Sequence, residues 1–199
     1  MTRPPRLVMV FTGAAVALAL TAARTDGRDW GRPSNRGAVQ QAFHQRVEAY
    51  VALRHQVLPL ADALAARDEL SRYERERYLA AAIRAARCDA EQGQIFTDDV
   101  AMLFRQLVTE SIGERDGEAF LVELNQGEPL PRGLHPTVNE AYSMSRVFRL
   151  PAEVRLGLPL LPAELDYRVA AHDLLLWDID AGIVVDFVPD AFVARIVTE

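Results

Sequence analysis

The stretch LDYRVAAHDLLLWDIDAGIVVDFV, residues 165–188, decides the fold class of this chain. It holds three short runs rich in β-branched and aromatic residues, separated by turn-forming residues, which is typical of consecutive strands. Asp180-Ala181-Gly182 suits the turn of a hairpin, since glycine readily adopts a positive φ. We therefore predict a half-buried antiparallel three-stranded meander within residues 163–199.

Alternation of apolar and polar residues assigns the two faces of this meander, because successive strand residues point to opposite sides. The residues predicted to face the core are Leu165, Tyr167, Val169, Leu174, Leu176, Ile183, Val185 and Phe187. Asp186 falls between two of these positions, so alternation places its carboxylate on the outer face. A segment with this much apolar surface is expected to be integral to the fold.

Upstream of the meander, apolar residues recur every three or four positions, which predicts amphipathic helices. We expect a first helix from Val39 to Pro59, a second over 69–88 with a capping box at Ser71, a third after an N-cap at Thr97, and a fourth over 118–124. The predicted core face of the third helix comprises Val100, Leu103, Phe104, Leu107, Val108 and Ile112. The chain is thus predicted to be α+β.

The domain organisation follows from these patterns. One globular domain is predicted over residues 39–199, helical over 39–126 and ending in the meander. Residues 127–162 contain six prolines, too many for long regular elements, and are predicted to form an ordered connector along the surface.

The N-terminus has the pattern of a cleavable signal peptide. Arg3 and Arg6 precede an apolar run over 7–20, and small residues follow up to Ala23. We expect cleavage after Ala23, a flexible leader over 24–38, and a mature protein that is periplasmic or secreted by a bacterium. The alternative is that the segment stays attached as a membrane anchor.

Composition excludes several kinds of function. The chain has a net charge of −6, and loss of the signal peptide with its two arginines would make it −8, which disfavours nucleic acid as a partner. All 22 basic residues are arginine, so no lysine can form a Schiff base. The single cysteine, Cys88, is predicted to be a small helix residue, with an intermolecular disulfide or a nucleophilic thiol as the alternatives.

Metal and nucleophile motifs are weak. The four histidines, at positions 44, 55, 135 and 172, do not cluster in the sequence, and His44 with Glu48 is predicted to be a surface pair rather than two metal ligands. No metal or cofactor site is predicted. None of the serines at 71, 111, 143 and 145 sits on a glycine-flanked elbow.

The C-terminal third is rich in aspartate, which leaves two interpretations open. The residues are Asp173, Asp178, Asp180, Asp186 and Asp190. They could converge as paired carboxylates for acid-base chemistry, or occupy turns and outward strand faces, which aspartate often does. The second interpretation is favoured, and it predicts that asparagine at 178 or 180 leaves folding nearly intact.

Two stretches, QGQIFTDDVAMLFRQL (residues 92–107) and LPAELDYRVAAHDLLLWDIDAGIVVDFVPDAF (residues 161–192), are similar to an uncharacterised family of exported bacterial proteins. The resemblance covers most of residues 39–192 and implies export and the C-terminal meander. It implies no activity. Family members usually carry a charged residue where this chain has Trp177.

These observations lead to three functional hypotheses. The first is a non-catalytic exported protein that acts as a scaffold and binds another envelope or extracellular protein or polymer. The second is a small hydrolase-like enzyme that uses the C-terminal aspartates with His172. The third is an accessory factor tethered to a membrane, which requires that residues 1–23 are retained. The sequence identifies no catalytic residue.

Overall fold

The structure is a computed structural model that describes residues 33–65, 72–113, 115–127, 133–141 and 146–192. These residues belong to one compact unit. The predicted signal peptide, residues 24–32 of the leader and the Ser71 capping box lie outside the described part. The elements are α1 (Pro33–Ala65), α2 (Arg72–Ala86), α3 (Asp98–Ile112), α4 (Gly117–Leu124), β1 (Phe148–Arg149), α5 (Ala152–Leu156), β2 (Leu165–Ala170), β3 (Asp173–Asp178) and β4 (Ile183–Val188).

The predicted α+β class is confirmed, but the sheet has four strands instead of three. All pairings are antiparallel and the order is β1-β2-β3-β4, so the predicted meander is joined at one edge by β1. This extra strand is only two residues long and lies in the proline-rich connector. So short an element carries no periodicity from which a strand could be predicted.

Helix α1 begins earlier and ends later than predicted. It starts at Pro33, inside the segment predicted to be a flexible leader, and it continues through Pro59. Proline is well suited to the first helical position because the missing N–H has no partner there anyway. At Pro59 the helix loses one backbone hydrogen bond. The adjacent Val57 and Leu58 pack against the core, and this packing helps to keep the backbone helical there.

Helix α3 matches its prediction closely. All six residues predicted for its core face are buried, and Thr97 is the N-cap residue. Its Phe104 ring lies 4.8 Å from Phe43 of α1 and 5.7 Å from Tyr167 of β2, measured between centroids. These aromatic contacts bind α1, α3 and the sheet into one core.

The meander is buried on both faces, so the prediction of a half-buried sheet is wrong. One face packs against the helices. The other forms a second apolar cluster with the connector, whose members are Val147, Ala170, Leu175, Trp177, Val184 and Phe187, with Val138 against them. The connector therefore covers the outer face of the sheet, and this cover explains why Trp177 is buried here.

A β-bulge changes the faces of β4 halfway along its length. Leu176 pairs with Asp186, but the next residue, Trp177, pairs with Val184, so Val185 is the extra residue on β4. Paired residues share a face, and Asp186 therefore points toward the helices with Leu176. The predicted placement of Asp186 outside and of Phe187 with the helical core is wrong, because strict alternation does not survive an inserted residue.

Candidate functional site

The five C-terminal aspartates divide into two groups. Asp180 and Asp190 are exposed in the turns that follow β3 and β4, as turn chemistry predicts. Asp173, Asp178 and Asp186 lie within strands and are fully buried. Their predicted position in turns or on outward faces is wrong, because each finds polar partners from distant parts of the chain that compensate its loss of water.

Asp178 is enclosed by four hydrogen-bond donors. Its Oδ2 accepts from the Tyr50 hydroxyl at 2.8 Å and from Arg54 Nε at 2.9 Å. Its Oδ1 accepts from the backbone N–H groups of Asp180 and Ala181. A second nitrogen of Arg54 donates to the carboxylate of Asp180. Both oxygens of Asp178 are thus committed to joining α1 to the hairpin, and burial with this carboxylate raises the pKa of Tyr50.

Asp186 holds the loop that leads into α3. Its carboxylate accepts from the backbone N–H groups of Gly93, Ile95 and Phe96 at 2.7–2.9 Å, and from the N–H of Phe187. Burial raises the pKa of Asp186 although these four donors favour its ionised form. This carboxylate anchors the loop before α3 to the sheet.

Arg87 and Asn139 join the connector to the helices. Arg87 Nη1 donates to Asn139 Oδ1 at 2.9 Å, and Asn139 Nδ2 donates to the carbonyl of Arg87 at 2.8 Å. The Arg87 guanidinium also lies 5.1 Å from the centroid of the Tyr50 ring. In turn, the Asn139 N–H donates to the carbonyl of Val184, so the connector pairs with the free edge of β4.

His172 does not meet the aspartates that the hydrolase hypothesis assigns to it. The residue is buried in the turn between β2 and β3, and its Nε2 lies 3.0 Å from Oε2 of Glu118 on α4. Its Nδ1 is buried and has no hydrogen-bond partner among the described residues. The structure therefore pairs His172 with Glu118 of α4, whereas the hydrolase hypothesis pairs it with the C-terminal aspartates.

His135 is the histidine that does pair with one of the aspartates. Its Nδ1 lies 2.8 Å from Oδ2 of Asp173, whose Oδ1 accepts from the N–H of Asp190 at 2.9 Å. The ring stacks near Phe187, with 6.1 Å between centroids, and the side chain is 42% exposed. The hydrogen bond to Asp173 raises the pKa of His135, and burial raises the pKa of Asp173.

Sequence reasoning missed this pair because His135 lies in the connector, where no periodicity marks a side chain as inward or outward. The only signal is an isolated histidine before a proline. The arrangement is that of an oriented general base: a buried carboxylate holds Nδ1 and leaves Nε2 available to a ligand.

The remaining candidates are dispersed. His44 lies against the ring of Phe43, and His55 Nε2 lies 3.0 Å from Oε1 of Glu164. Within the part of the chain that the structure describes, no group of three or more His, Cys, Asp or Glu could hold a metal ion.

Ser111 donates to the carbonyl of Leu107 on its own helix, whereas the serines at 71, 143 and 145 lie outside the described ranges. Cys88 is a free, exposed thiol in the turn after α2, not within the helix.

The most exposed apolar side chains in the described ranges lie close together in sequence. Leu156 ends α5 and is 81% exposed, and Leu160 is 85% exposed. Between them Leu158 is buried, and Val154 of α5 is buried one turn earlier. We call residues 156–160 the leucine turn. The sequence does not predict it, because six prolines mark residues 127–162 only as a connector and no periodicity there distinguishes exposed from buried side chains.

No protein-family model, curated protein or solved structure matches this chain. Among the described residues, no helix is long and apolar enough to cross a membrane.

Proposed function

We propose that this chain is an exported, non-catalytic binding protein that contacts its partner through the leucine turn. The observation that carries the proposal is the exposure of Leu156 and Leu160, 81% and 85%. Single exposed apolar residues are common on protein surfaces, but two such leucines within five residues form a projecting apolar feature.

The backbone of the leucine turn is held firmly beneath these two side chains. Val154 and Leu158 are buried in the helical core, and a Cβ on Gly157 would overlap the hydroxyl of Ser111 on α3. The leucines are therefore presented by an anchored segment. A preorganised contact loses less conformational entropy when a partner binds.

The C-terminal aspartates support a structural role better than a catalytic one. The carboxylate oxygens of Asp178 and Asp186 accept hydrogen bonds that join the sheet to α1 and to the loop before α3. A carboxylate with both oxygens committed in this way has little capacity to exchange protons with a substrate. Export itself rests on the pattern of residues 1–23 and on the resemblance to exported proteins.

Crosslinking in the native envelope tests the binding function. A photoreactive amino acid at position 160 is expected to form a crosslink in cells, whereas the same residue at position 134 is not. Leu134 is a matched control because it is an apolar residue that is half exposed, at 51%, in another segment. Equal crosslinking at both positions, or none at 160, would contradict a role for the leucine turn.

Intact mass of the exported protein tests the localisation. The expected mature chain begins at Arg24. Recovery of the unprocessed chain in the soluble cytoplasmic fraction would contradict export, and recovery of residues 1–23 on membrane-bound protein would support the tethered alternative.

A second candidate function is a small hydrolase, and the His135–Asp173 pair favours it. Here His135 replaces His172 as the general base, and Asp173 orients the imidazole. In this hypothesis Nε2 removes a proton from water, the hydroxide adds to a carbonyl carbon, and the proton passes to the leaving group.

Hydrolysis of a panel of chromogenic esters tests this candidate. His135→Gln is expected to lower kcat by about 100-fold or more, and His44→Gln, which changes a histidine outside the pair, is expected to leave it unchanged. No hydrolysis by the wild-type protein, or equal rates for all three proteins, would dismiss the hydrolase.

A further inference from the structure

We propose that the partner of the leucine turn is a phospholipid membrane with anionic headgroups, into whose surface Leu156 and Leu160 insert. This inference rests on the binding function proposed above and names the class of its partner. It does not require residues 1–23 to be retained.

The small size of the feature favours lipid over protein. Its exposed apolar area comes from two leucines, since Leu158 between them in sequence is buried. A stable protein interface needs about 800 Å² of complementary surface on each partner. Two leucines supply only part of that area. A bilayer interface is fluid and closes around isolated apolar side chains, so it needs no complementary shape.

The charge around the leucine turn also fits an anionic membrane. Residues 146–160 carry exposed arginines at 146, 149 and 155 and one acidic residue, Glu153. The rest of the chain is acidic, since the net charge of the whole is −6. An anionic surface repels most of this protein and attracts the segment around the leucine turn. Electrostatics therefore orients the molecule with its leucines toward the lipid.

A site-specific probe tests the insertion. The protein is purified in the form that cells produce after export, with the substitutions Cys88→Ser and Leu160→Cys. The new thiol is labelled with an environment-sensitive fluorophore. Its emission is expected to shift to the blue, and to be quenched by a lipid-borne quencher, with vesicles containing phosphatidylglycerol. The same probe on a Leu134→Cys variant is the control and is expected to stay in water.

Two further variants sharpen the measurement. In the unlabelled protein, Leu156→Ser is expected to weaken vesicle binding, measured by pelleting, about tenfold, because one of two inserting side chains is lost. Leu134→Ser, also in the unlabelled protein, is the matched control and is expected to leave vesicle pelleting unchanged. Vesicles of phosphatidylcholine alone are expected to bind more weakly, as is any vesicle at high salt.

The outcomes separate this inference from the function on which it rests. If the probe at 160 stays in water with every vesicle while position 160 crosslinks to a protein in cells, the membrane inference is overturned and the binding function stands. If neither signal appears, both fail. A blue shift that is equal at positions 134 and 160 shows nonspecific adsorption and also overturns the inference.

Discussion

Arg54 of α1 donates its Nε–H to Asp178 at the end of β3 over 2.9 Å, and both side chains are almost completely withdrawn from solvent. The same guanidinium reaches Asp180, which is 61% exposed. One arginine thus pairs with a buried and with an exposed carboxylate in the same hairpin. Both partners are aspartates, but they differ in burial, so substitutions at the two positions should differ in their effect on stability.

Asparagine substitutions at these two positions are expected to have different effects on the free energy of unfolding. Asp178→Asn leaves the Arg54 charge buried without its buried counter-charge, and breaking a buried pair costs about 3–5 kcal/mol. Asp180→Asn removes only an exposed partner and is expected to cost about 0–1 kcal/mol. Urea denaturation of both variants measures the difference. Midpoints that both equal that of the wild type would support the sequence-based expectation that either substitution is nearly neutral, and midpoints lowered equally would contradict the difference expected between the two positions.

Asp186→Asn is expected to loosen the loop before α3. The amide retains one acceptor oxygen but turns N–H donors toward the N–H groups of Ile95 and Phe96, which costs about 1–3 kcal/mol. Hydrogen exchange of these two amides should accelerate more than exchange in α4. The exposed Asp98→Asn is the control. Unchanged protection of Ile95 and Phe96 in Asp186→Asn would refute the anchoring role.

The His135–Asp173 pair predicts a specific pH dependence. The pKa of His135 is raised from its ordinary value of 6.5, so the folded state binds the proton more tightly than the unfolded state. The stabilisation is therefore complete below about pH 6.5 and is lost as the pH rises through the folded pKa. The urea midpoint of the wild type should fall as the pH rises from about 6.5 through the folded pKa of His135, and that of His135→Gln should fall less. Parallel profiles for the two proteins would contradict this assignment.

Two helical glycines should respond oppositely to alanine. At Gly117 an added Cβ would overlap the carbonyl oxygen of Phe192, so Gly117→Ala is expected to cost about 1–3 kcal/mol. At Gly37 of α1 no atom lies within 4 Å of the added Cβ, so Gly37→Ala should stabilise the protein by about 0.5–1 kcal/mol. Thermal denaturation checks both signs. Destabilisation by Gly37→Ala would argue against a regular helix there.

A shortened chain that ends at Pro162 is expected not to fold cooperatively. It loses β2, β3 and β4, which supply partners for Tyr50, Arg54 and the loop at Ile95. The eight core residues predicted in this segment would each contribute about 1.5–3 kcal/mol when buried. Their sum, on the order of 10–20 kcal/mol, is as large as typical net stabilities of about 5–15 kcal/mol. Circular dichroism across a urea gradient decides the matter. A sharp transition in the shortened chain would make the meander dispensable.

The sequence by itself determined the elements whose signal is local. The apolar period of α3 predicted its buried face, and the turn at Gly182 has the expected positive φ, 64°. The α+β class and the strand positions of the meander also follow from residues close together in the chain. Local periodicity is sufficient here because a helix or strand shows a repeating face whatever packs against it.

Only the tertiary structure decided the environment of the polar residues. The burial of Asp178 depends on Tyr50, 128 positions away, and no local pattern records such a partner. The position of Asp186 depends on one inserted residue in β4, and the burial of Trp177 depends on the connector that covers the sheet. The exposure of Leu160 depends on where Leu158 anchors the backbone. Whether a charged or apolar side chain meets water is set by the surface that faces it, and that surface comes from distant sequence.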